Sequence, residues 1–270
     1  MSRVSLAVPP PRESHAANAL VALSVVIPTL NEAARIGDAV AAVSWADEVI
    51  VVDGGSTDET ARVAEAAGAR VLVVAGDTIA AQRNSGISIA RNEWILSLDA
   101  DERVSTVLRH EVAIVIGSQQ PTRAAYRIKF RTQYLGRELE HGPWGRDWHV
   151  RLFKRDRRYI PSRVHERLEP IDDVGRLAGE ILHCPYRDLS HHVAKIGRYA
   201  RWGAEDLRAR ARRPSISDVT IRPAWRFVRD YFVMMGWRDG MPGFIAAVLS
   251  AINVFLKYAF LYTGPQNDGG

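Results

Sequence analysis

Trp94-Ile95-Leu96-Ser97-Leu98-Asp99-Ala100-Asp101 is the stretch whose reading decides the fold. Its first five residues form an apolar run of strand length. Two carboxylates follow where a strand should end. In an extended chain, side chains two residues apart point the same way, so Asp99 and Asp101 can face one point. Like charges held that close repel unless a cation lies between them. Mg²⁺ suits such a pair, because it is commonly held by one or two carboxylates together with substrate phosphates. The plain alternative is a solvated acidic turn.

Working outward, the same rhythm recurs upstream. Leu23-Ser24-Val25-Val26-Ile27 reads as a strand stopped by Pro28, and Asn31 and Glu32 open a helical stretch carrying Ile36, Val40 and Val43. Glu48 to Val52 is a second strand, closed by the turn Asp53-Gly54-Gly55-Ser56. Ser56 or Thr57 is placed to cap the next helix, with Asp58 and Glu59 in its first turn. Gly68 suits that helix's C-terminus. Val71 to Val74 is a third strand, and residues 78–91 read as a third helix. The alternation predicts an α/β fold with a parallel sheet covered on both faces. Ligands in such sheets bind beyond the carboxyl ends of the strands.

That rule gathers scattered residues into one site. Pro28 to Glu32, Asp53 to Asp58 and Asp99 to Asp101 all fall at carboxyl ends, which brings five acidic side chains together. Asp53 can accept hydrogen bonds from a ribose or a base, although turn formation and helix capping also explain Asp53 and Asp58. Arg83, in Ala81-Gln82-Arg83-Asn84, can reach a diphosphate or pair with one of the carboxylates. No G-x-G-x-x-G follows the first strand and no G-x-x-x-x-G-K-[ST] occurs anywhere, which argues against a dinucleotide or a P-loop nucleotide.

The chain has 270 residues, 47% of them hydrophobic, and a formal net charge of +5. This fits one large domain with an appendage, or two small ones. The positive balance suits an anionic partner: nucleotide phosphates, an acidic membrane surface or nucleic acid. Cys184 is the only cysteine, so no intrachain disulfide is possible and a reducing compartment is expected. Residues 1–20 lack the apolar core of a signal peptide and read as a flexible arm around Pro9-Pro10-Pro11.

Val26-Ile27-Pro28-Thr29-Leu30-Asn31-Glu32, Val52-Asp53-Gly54-Gly55-Ser56-Thr57-Asp58, Arg83-Asn84 and Leu98-Asp99-Ala100-Asp101 together closely resemble family 2 glycosyltransferases in content, order and spacing. The resemblance implies a GT-A fold, inverting transfer from a nucleotide sugar, and a divalent cation, Mg²⁺ or Mn²⁺. By that resemblance, Pro28, Asn31, Glu32, Asp53 and Asp58 contact the nucleotide sugar. Arg83 lies near the base or diphosphate, Asp99 approaches the ribose and the metal, and Asp101 binds the metal. Further on, His141-Gly142-Pro143-Trp144, Arg151 to Arg155, Val164-His165-Glu166 and His183 resemble the subgroup of lipopolysaccharide-core glucosyltransferases that act on inner-core heptose. This second likeness implies a UDP-sugar donor, glucose above all, and a lipopolysaccharide-core or other lipid-linked saccharide acceptor. It also places the catalytic base at Glu166. On the residues alone, Glu166 is equally an ion-pair partner between His165 and Arg167, and His165 is a rival base. His183 can complete a metal shell, but it also ends an apolar strand (Leu177 to Leu182) where a structural histidine would serve.

The basic residues from Arg123 to Arg167 read either as a solvated face or as a rim that collects an anionic donor and acceptor. Trp144 and Trp148 suit sugar stacking or the core. Near the C-terminus, Arg222, Arg226 and Arg229 recur at helical spacing beside Trp225, Phe227 and Phe232. This basic amphipathic pattern suits an anionic bilayer, held at low salt. Gly240 to Gly243 breaks the pattern. Phe244 to Tyr262 follows, with Ser250, Asn253 and Lys257 along one face. It reads as a helix lying in the membrane interface, or packed on the domain, rather than spanning the bilayer. The expected division is an arm (1–20), a GT-A domain (21–215, donor half 21–105 and acceptor half 106–215) and membrane-associated helices (216–270). The expected location is the cytoplasmic face of the inner membrane. The rival readings are a polyprenyl-phosphate glycosyltransferase and a basic nucleic-acid-binding protein, the latter disfavoured by the acidic strand ends.

Overall fold

β1 (Val21–Thr29) sends alternate side chains into two different cores. Leu23, Val25 and Ile27 enter one, and Val26 the other. A strand buried on both faces must be apolar throughout, which is why its sequence shows no polar alternation. The computed structural model describes residues 21–74, 78–118, 123–160 and 167–264. The expected N-terminal arm, and Glu166 with His165, lie outside these residues.

β2 (Ala46–Asp53) and β4 (Trp94–Ser97) flank β1 in parallel, and β3 (Arg70–Val73) adds to β2. α1 (Ala33–Ala41), α2 (Thr60–Ala66) and, further along, α4 (Thr106–Gly117) supply one layer, while α3 (Ile79–Ile89) covers the opposite face. Gly86 lets α3 settle closely on the sheet. A Cβ there would stand 2.5 Å from a methyl of Val26 and 2.9 Å from one of Val52. Thr78 caps α3, and Gly68, with φ +95°, follows α2. The expected cap at Ser56 or Thr57 does not form. α2 begins only at Thr60, because both hydroxyl residues are used to tie neighbouring loops.

After β4 the chain turns back through β5 (Glu102–Val104). β6 (Ala125–Tyr134), β7 (Arg137–Leu139), β8 (Trp148–Lys154) and β11 (Val174–His183) extend the sheet in the order β3-β2-β1-β4-β8-β6-β11-β5, with β7 on β6. Antiparallel pairing starts where β8 joins β4. β9 (Tyr159–Ile160) and β10 (Arg167–Leu168) form a separate ribbon. The result is a GT-A-like mixed α/β sheet with C-terminal helices.

Those helices are α5 (Leu189–Ala209), α6 (Ile216–Val219), α7 (Ile221–Val228) and α8 (Gly240–Thr263). A π-helical turn (Arg229–Val233) and a 3₁₀ turn (Gly236–Asp239) join the last two. Gly240 to Gly243 starts α8 instead of interrupting the pattern, since Pro242 lies in the first turn, where a missing N–H costs nothing. α8 packs on α5 and α7, with Tyr258 clustered with Ala204 of α5, and its Gly243 lies against Gly236 and Asp239 of the 3₁₀ turn. The stretch Gly236–Thr263, of mean hydropathy 1.9, is long and apolar enough to cross a bilayer.

Candidate active site

The sheet register brings Thr29, Asp53 and Val73 to one edge, with Ser97 ending β4 on the same side. The loops that leave this edge are tied to each other. Asn31, in the left-handed region at φ +56°, donates its backbone N–H to Ser56 Oγ (2.8 Å), and its side-chain oxygen accepts from the Thr57 N–H (2.8 Å). Glu32 N–H donates to Thr60 Oγ1 (2.9 Å), and Asp58 accepts from Ala33 N–H (3.2 Å) and from the hydroxyl of Thr60. That Thr60 bond, with the backbone donors, holds the Asp58 carboxyl below its usual range. Asp58 therefore braces two loops as well as lying near the edge. Asp53 is buried and accepts from both the N–H and the hydroxyl of Ser56, which leaves lone pairs for a ligand. Pro28 is buried within β1, and Asn31 is exposed.

Arg83 is only 1% exposed. It donates to Ser97 Oγ and, over 2.6 Å, to Asp99 Oδ1. Of its two sequence readings, pairing with a carboxylate is the one seen. Arg151 approaches the other oxygen of Asp99 (3.2 Å) and donates to Glu102 Oε1 (2.6 Å). The β6–β8 register steps from Leu152 to Val150, so Arg151 is the extra residue of a bulge, a feature that re-aims a side chain. Arg151 is therefore part of a buried cluster and not of a solvated rim. Arg155 and Arg158 are likewise turned onto backbone carbonyls, and Lys154 onto Glu93. Burial opposes ionisation of Asp99, but Arg83 and Arg151 outweigh it and hold the carboxyl well below the ordinary carboxylate range. Burial, with Asp99 and Asp101 nearby, pushes Glu102 up, and Arg151 opposes this. Both oxygens of Glu102 nonetheless accept hydrogen bonds, one from Arg151 and one from the Asp99 N–H (3.0 Å), the pattern of an ionised group.

The chain does not stay extended through Asp99-Ala100-Asp101. It turns, with Glu102 N–H donating to the Asp99 carbonyl (3.0 Å). The two aspartates consequently do different things. Asp99 faces the guanidinium groups. Asp101 faces His183, whose Nε2 lies 3.9 Å from Asp101 Oδ1, with Arg35 3.8 Å from the other oxygen. β11 brings His183 opposite Glu102, and one ligand atom from each of Asp101, Glu102 and His183 lies within 4.8 Å of the others. Burial pushes the His183 imidazole down, against the pull of Asp101 and Asp99, so it is neutral near pH 7 and free to ligate. Asp99 and Glu102 are balanced by Arg83 and Arg151 at short range, whereas Asp101 has only the longer contacts to Arg35 and His183. A divalent cation fits that donor set at Asp101 and His183, with Asp99 held back by its arginines. Glu102 is the member of the site that the sequence does not single out, and Arg151 stands out there only as part of a basic motif.

Glu32 stands beside this point. Burial pushes its carboxyl up, while Arg35, Lys195 and Arg187 counter. Cationic side chains thus surround the space between Glu32 and Asp101. Trp144 packs against Tyr134 and Tyr186 facing an internal cavity, whereas Trp148 lies outside it beneath Arg176.

Residues 24–112 match the family model described as Glycosyl transferase family 2. The chain is 32% identical over 251 residues to an uncharacterized glycosyltransferase of Rickettsia bellii, covering 88% of this chain and 85% of that one. It is 28% identical over 248 residues to the lipopolysaccharide core biosynthesis glycosyltransferase LpsC of Rhizobium meliloti, covering 89% and 92%. Among solved structures it is similar to Staphylococcus aureus TarS 1-349 in complex with UDP-GlcNAc, at 16% identity and a TM-score of 0.47, over 86% of this chain and 81% of that one.

Proposed function

The chain belongs to glycosyl transferase family 2, and on that premise we propose that it transfers a sugar, with inversion, from a UDP-sugar to a lipopolysaccharide-core or other lipid-linked saccharide. Glucose is the sugar we assign. The observation that carries this reading is the split of the two aspartates. Asp99 is neutralised by Arg83 and Arg151 beside the nucleotide loops, while Asp101 and His183 are left as a ligand pair. The acceptor assignment rests on the similarity to a protein named for lipopolysaccharide core biosynthesis.

The chain's own groups divide the work as follows. Asn31, Glu32, Asp53 and the loop to Asp58, with Pro28 beneath them, form the wall for the nucleoside. Asp101 and His183 would hold Mg²⁺ or Mn²⁺, which when bound supplies positive charge to the diphosphate. Arg35 and Lys195 add to that charge. Glu166, by family resemblance, takes the proton of the acceptor hydroxyl. The acceptor oxygen bonds to the anomeric carbon from the face opposite the diphosphate. The old carbon–oxygen bond breaks, and its electron pair leaves with UDP.

Residues 21–215 form the catalytic unit in this reading, with a donor half to 105 and an acceptor half beyond, and residues 216–270 meet the cytoplasmic face of the membrane. What touches the bilayer differs from the basic face expected from sequence. Arg222 pairs with Asp218, and Arg226 and Arg229 pair with Asp230, both aspartates being buried. The arginine heads are thus engaged by the protein's own carboxylates. Ile221, Trp225, Phe232, Val233, Trp237 and Met241 are exposed instead. Adhesion through such a surface is apolar, not electrostatic.

Thermal-shift measurements with UDP-, GDP-, CDP- and TDP-sugars, with and without Mg²⁺ or Mn²⁺, test the donor. A UDP-sugar with cation should raise the melting temperature most. A larger rise with another nucleotide, or none with any, would overturn the assignment.

A further inference from the structure

Between α5, α8 and the turn at Trp144 lies a cavity of about 810 Å³, in the size range of small-molecule sites. Ile160 and Arg167, which flank the segment carrying Glu166, both line it. Leu139 lines it as well, and pairs with Thr132, which pairs with His183. At roughly 4.8 Å per strand, Leu139 is about 10 Å from His183, a distance a saccharide can span.

The polar stripe of α8 finds its place here. Ser250, Asn253 and Lys257 all face the cavity, while Phe244, Ile252 and Phe255 of the same helix are exposed. Ser250 is satisfied, since it accepts from Arg226 and donates to Asp230. The other two are not. Asn253 Oδ1 is buried without a hydrogen-bond partner. Lys257 has no carboxylate within ion-pair distance among the described residues, and its ammonium sits 4.9 Å from the Tyr258 ring. Its stem is pinned by the close approach of Gly203, where a Cβ would fall 2.8 Å from Lys257 Cδ. Burial, with Arg222 and Arg226 near it, pushes the ammonium down, as expected of a cation lacking a counter-charge. The carboxylates that line the cavity do not supply one. Asp230 is engaged by Arg226 and Arg229, Asp239 by His141, and Asp206 stands beyond ion-pair distance on α5. The lining also carries aromatic rings: Tyr186 stacks on His192 with ring centroids 3.7 Å apart, and Trp144 leans on both. An aromatic ring and unpaired polar groups lining one cavity are what a sugar needs, an apolar face to stack and hydroxyls to satisfy.

We infer that this cavity is the acceptor site and that it selects a phosphorylated saccharide, with a phosphate at Lys257, a hydroxyl donating to Asn253 Oδ1 and a ring against Trp144 and Tyr186. The inference rests on the glycosyltransferase reading above, and assigns the acceptor's charge and the residues that recognise it.

Calorimetry with deacylated lipopolysaccharide core oligosaccharide, before and after phosphatase treatment, tests it. The phosphorylated form should bind the wild-type protein about tenfold or more tightly than the dephosphorylated form. Lys257→Met should abolish that difference, and Lys257→Arg should retain it. Equal binding of the two forms by the wild type, or an undiminished difference in Lys257→Met, would overturn the inference. Inorganic phosphate and phosphatidylglycerol vesicles separate the other sources of the same chemistry. Loss of vesicle binding in Lys257→Met, with saccharide binding intact, would assign the lysine to lipid headgroups and refute an acceptor role. UDP-glucose affinity, measured on the same samples, reads the donor site independently. If it is absent from the wild type, the glycosyltransferase reading fails; if it is present while the phosphate preference is absent, only the acceptor inference fails.

Discussion

Arg83 Nη2 lies 2.6 Å from Asp99 Oδ1, and this contact organises the site. The guanidinium is held from behind by Ser97 and by the Tyr159 ring, 5.2 Å from its Cζ. It determines which aspartate is balanced and which is left to meet a cation. Removing Arg83 leaves Asp99 with Arg151 and with a side chain 35% exposed, so the cost falls short of the ~3–5 kcal/mol of a fully buried pair. Arg83→Met should lower unfolding free energy by about 1–3 kcal/mol in denaturant titrations. A loss below ~1 kcal/mol would mean that the pair is not buried as described.

His192 supplies a pH signature. It is buried, shares a 2.7 Å hydrogen bond with Tyr134, and burial with Lys195 nearby pushes its imidazole down to about 4. A depressed folded value means that the unfolded chain binds the proton first. The neutral ring's stability is complete above pH 6.5 and is lost as the pH falls toward 4. The loss amounts to at most ~3 kcal/mol. Unfolding curves across that window should be steeper for wild type than for His192→Gln. Identical slopes would show that His192 is not held neutral.

Glu166→Gln separates binding from chemistry. The amide should leave UDP-glucose affinity and phosphorylated-oligosaccharide affinity near wild type, while transfer falls by about 10²-fold or more. Transfer at the wild-type rate would remove Glu166 as the base.

The membrane surface makes its own prediction. Since Arg222, Arg226 and Arg229 are committed to Asp218 and Asp230, flotation with phosphatidylglycerol vesicles should persist at high salt. Trp225→Glu with Phe232→Glu, two exposed positions, should release the protein. Binding that disappears on adding salt and survives the double substitution would return the arginines to the interface.

The first half of the sheet was readable because β1, β2 and β4 are buried on both faces, and such strands appear as uninterrupted apolar runs ending in polar loops. The carboxyl-edge rule then placed Asp53 and Asp99 to Asp101 together. What could not be read depends on distant partners. Arg151 looks like one more basic residue until a bulge and the neighbouring strand turn it toward Asp99. Glu102 gains its position only because β11 pairs with β5. The turn at Asp99 separated two carboxylates that an extended chain would have pointed alike. For α7, periodicity identified the arginine stripe but not its direction, which buried Asp218 and Asp230 decide.

If Asp101, with Asp99 held by Arg83, anchors a divalent cation at the sugar donor, UDP-glucose binding depends on that cation. Calorimetry of UDP-glucose binding, with Mn²⁺ or with chelator, tests this in wild type and in Asp101→Asn. Mn²⁺ should tighten binding by about tenfold or more in wild type and have no effect in Asp101→Asn. Equal affinity with and without Mn²⁺ in wild type, or an undiminished Mn²⁺ effect in the variant, would contradict it.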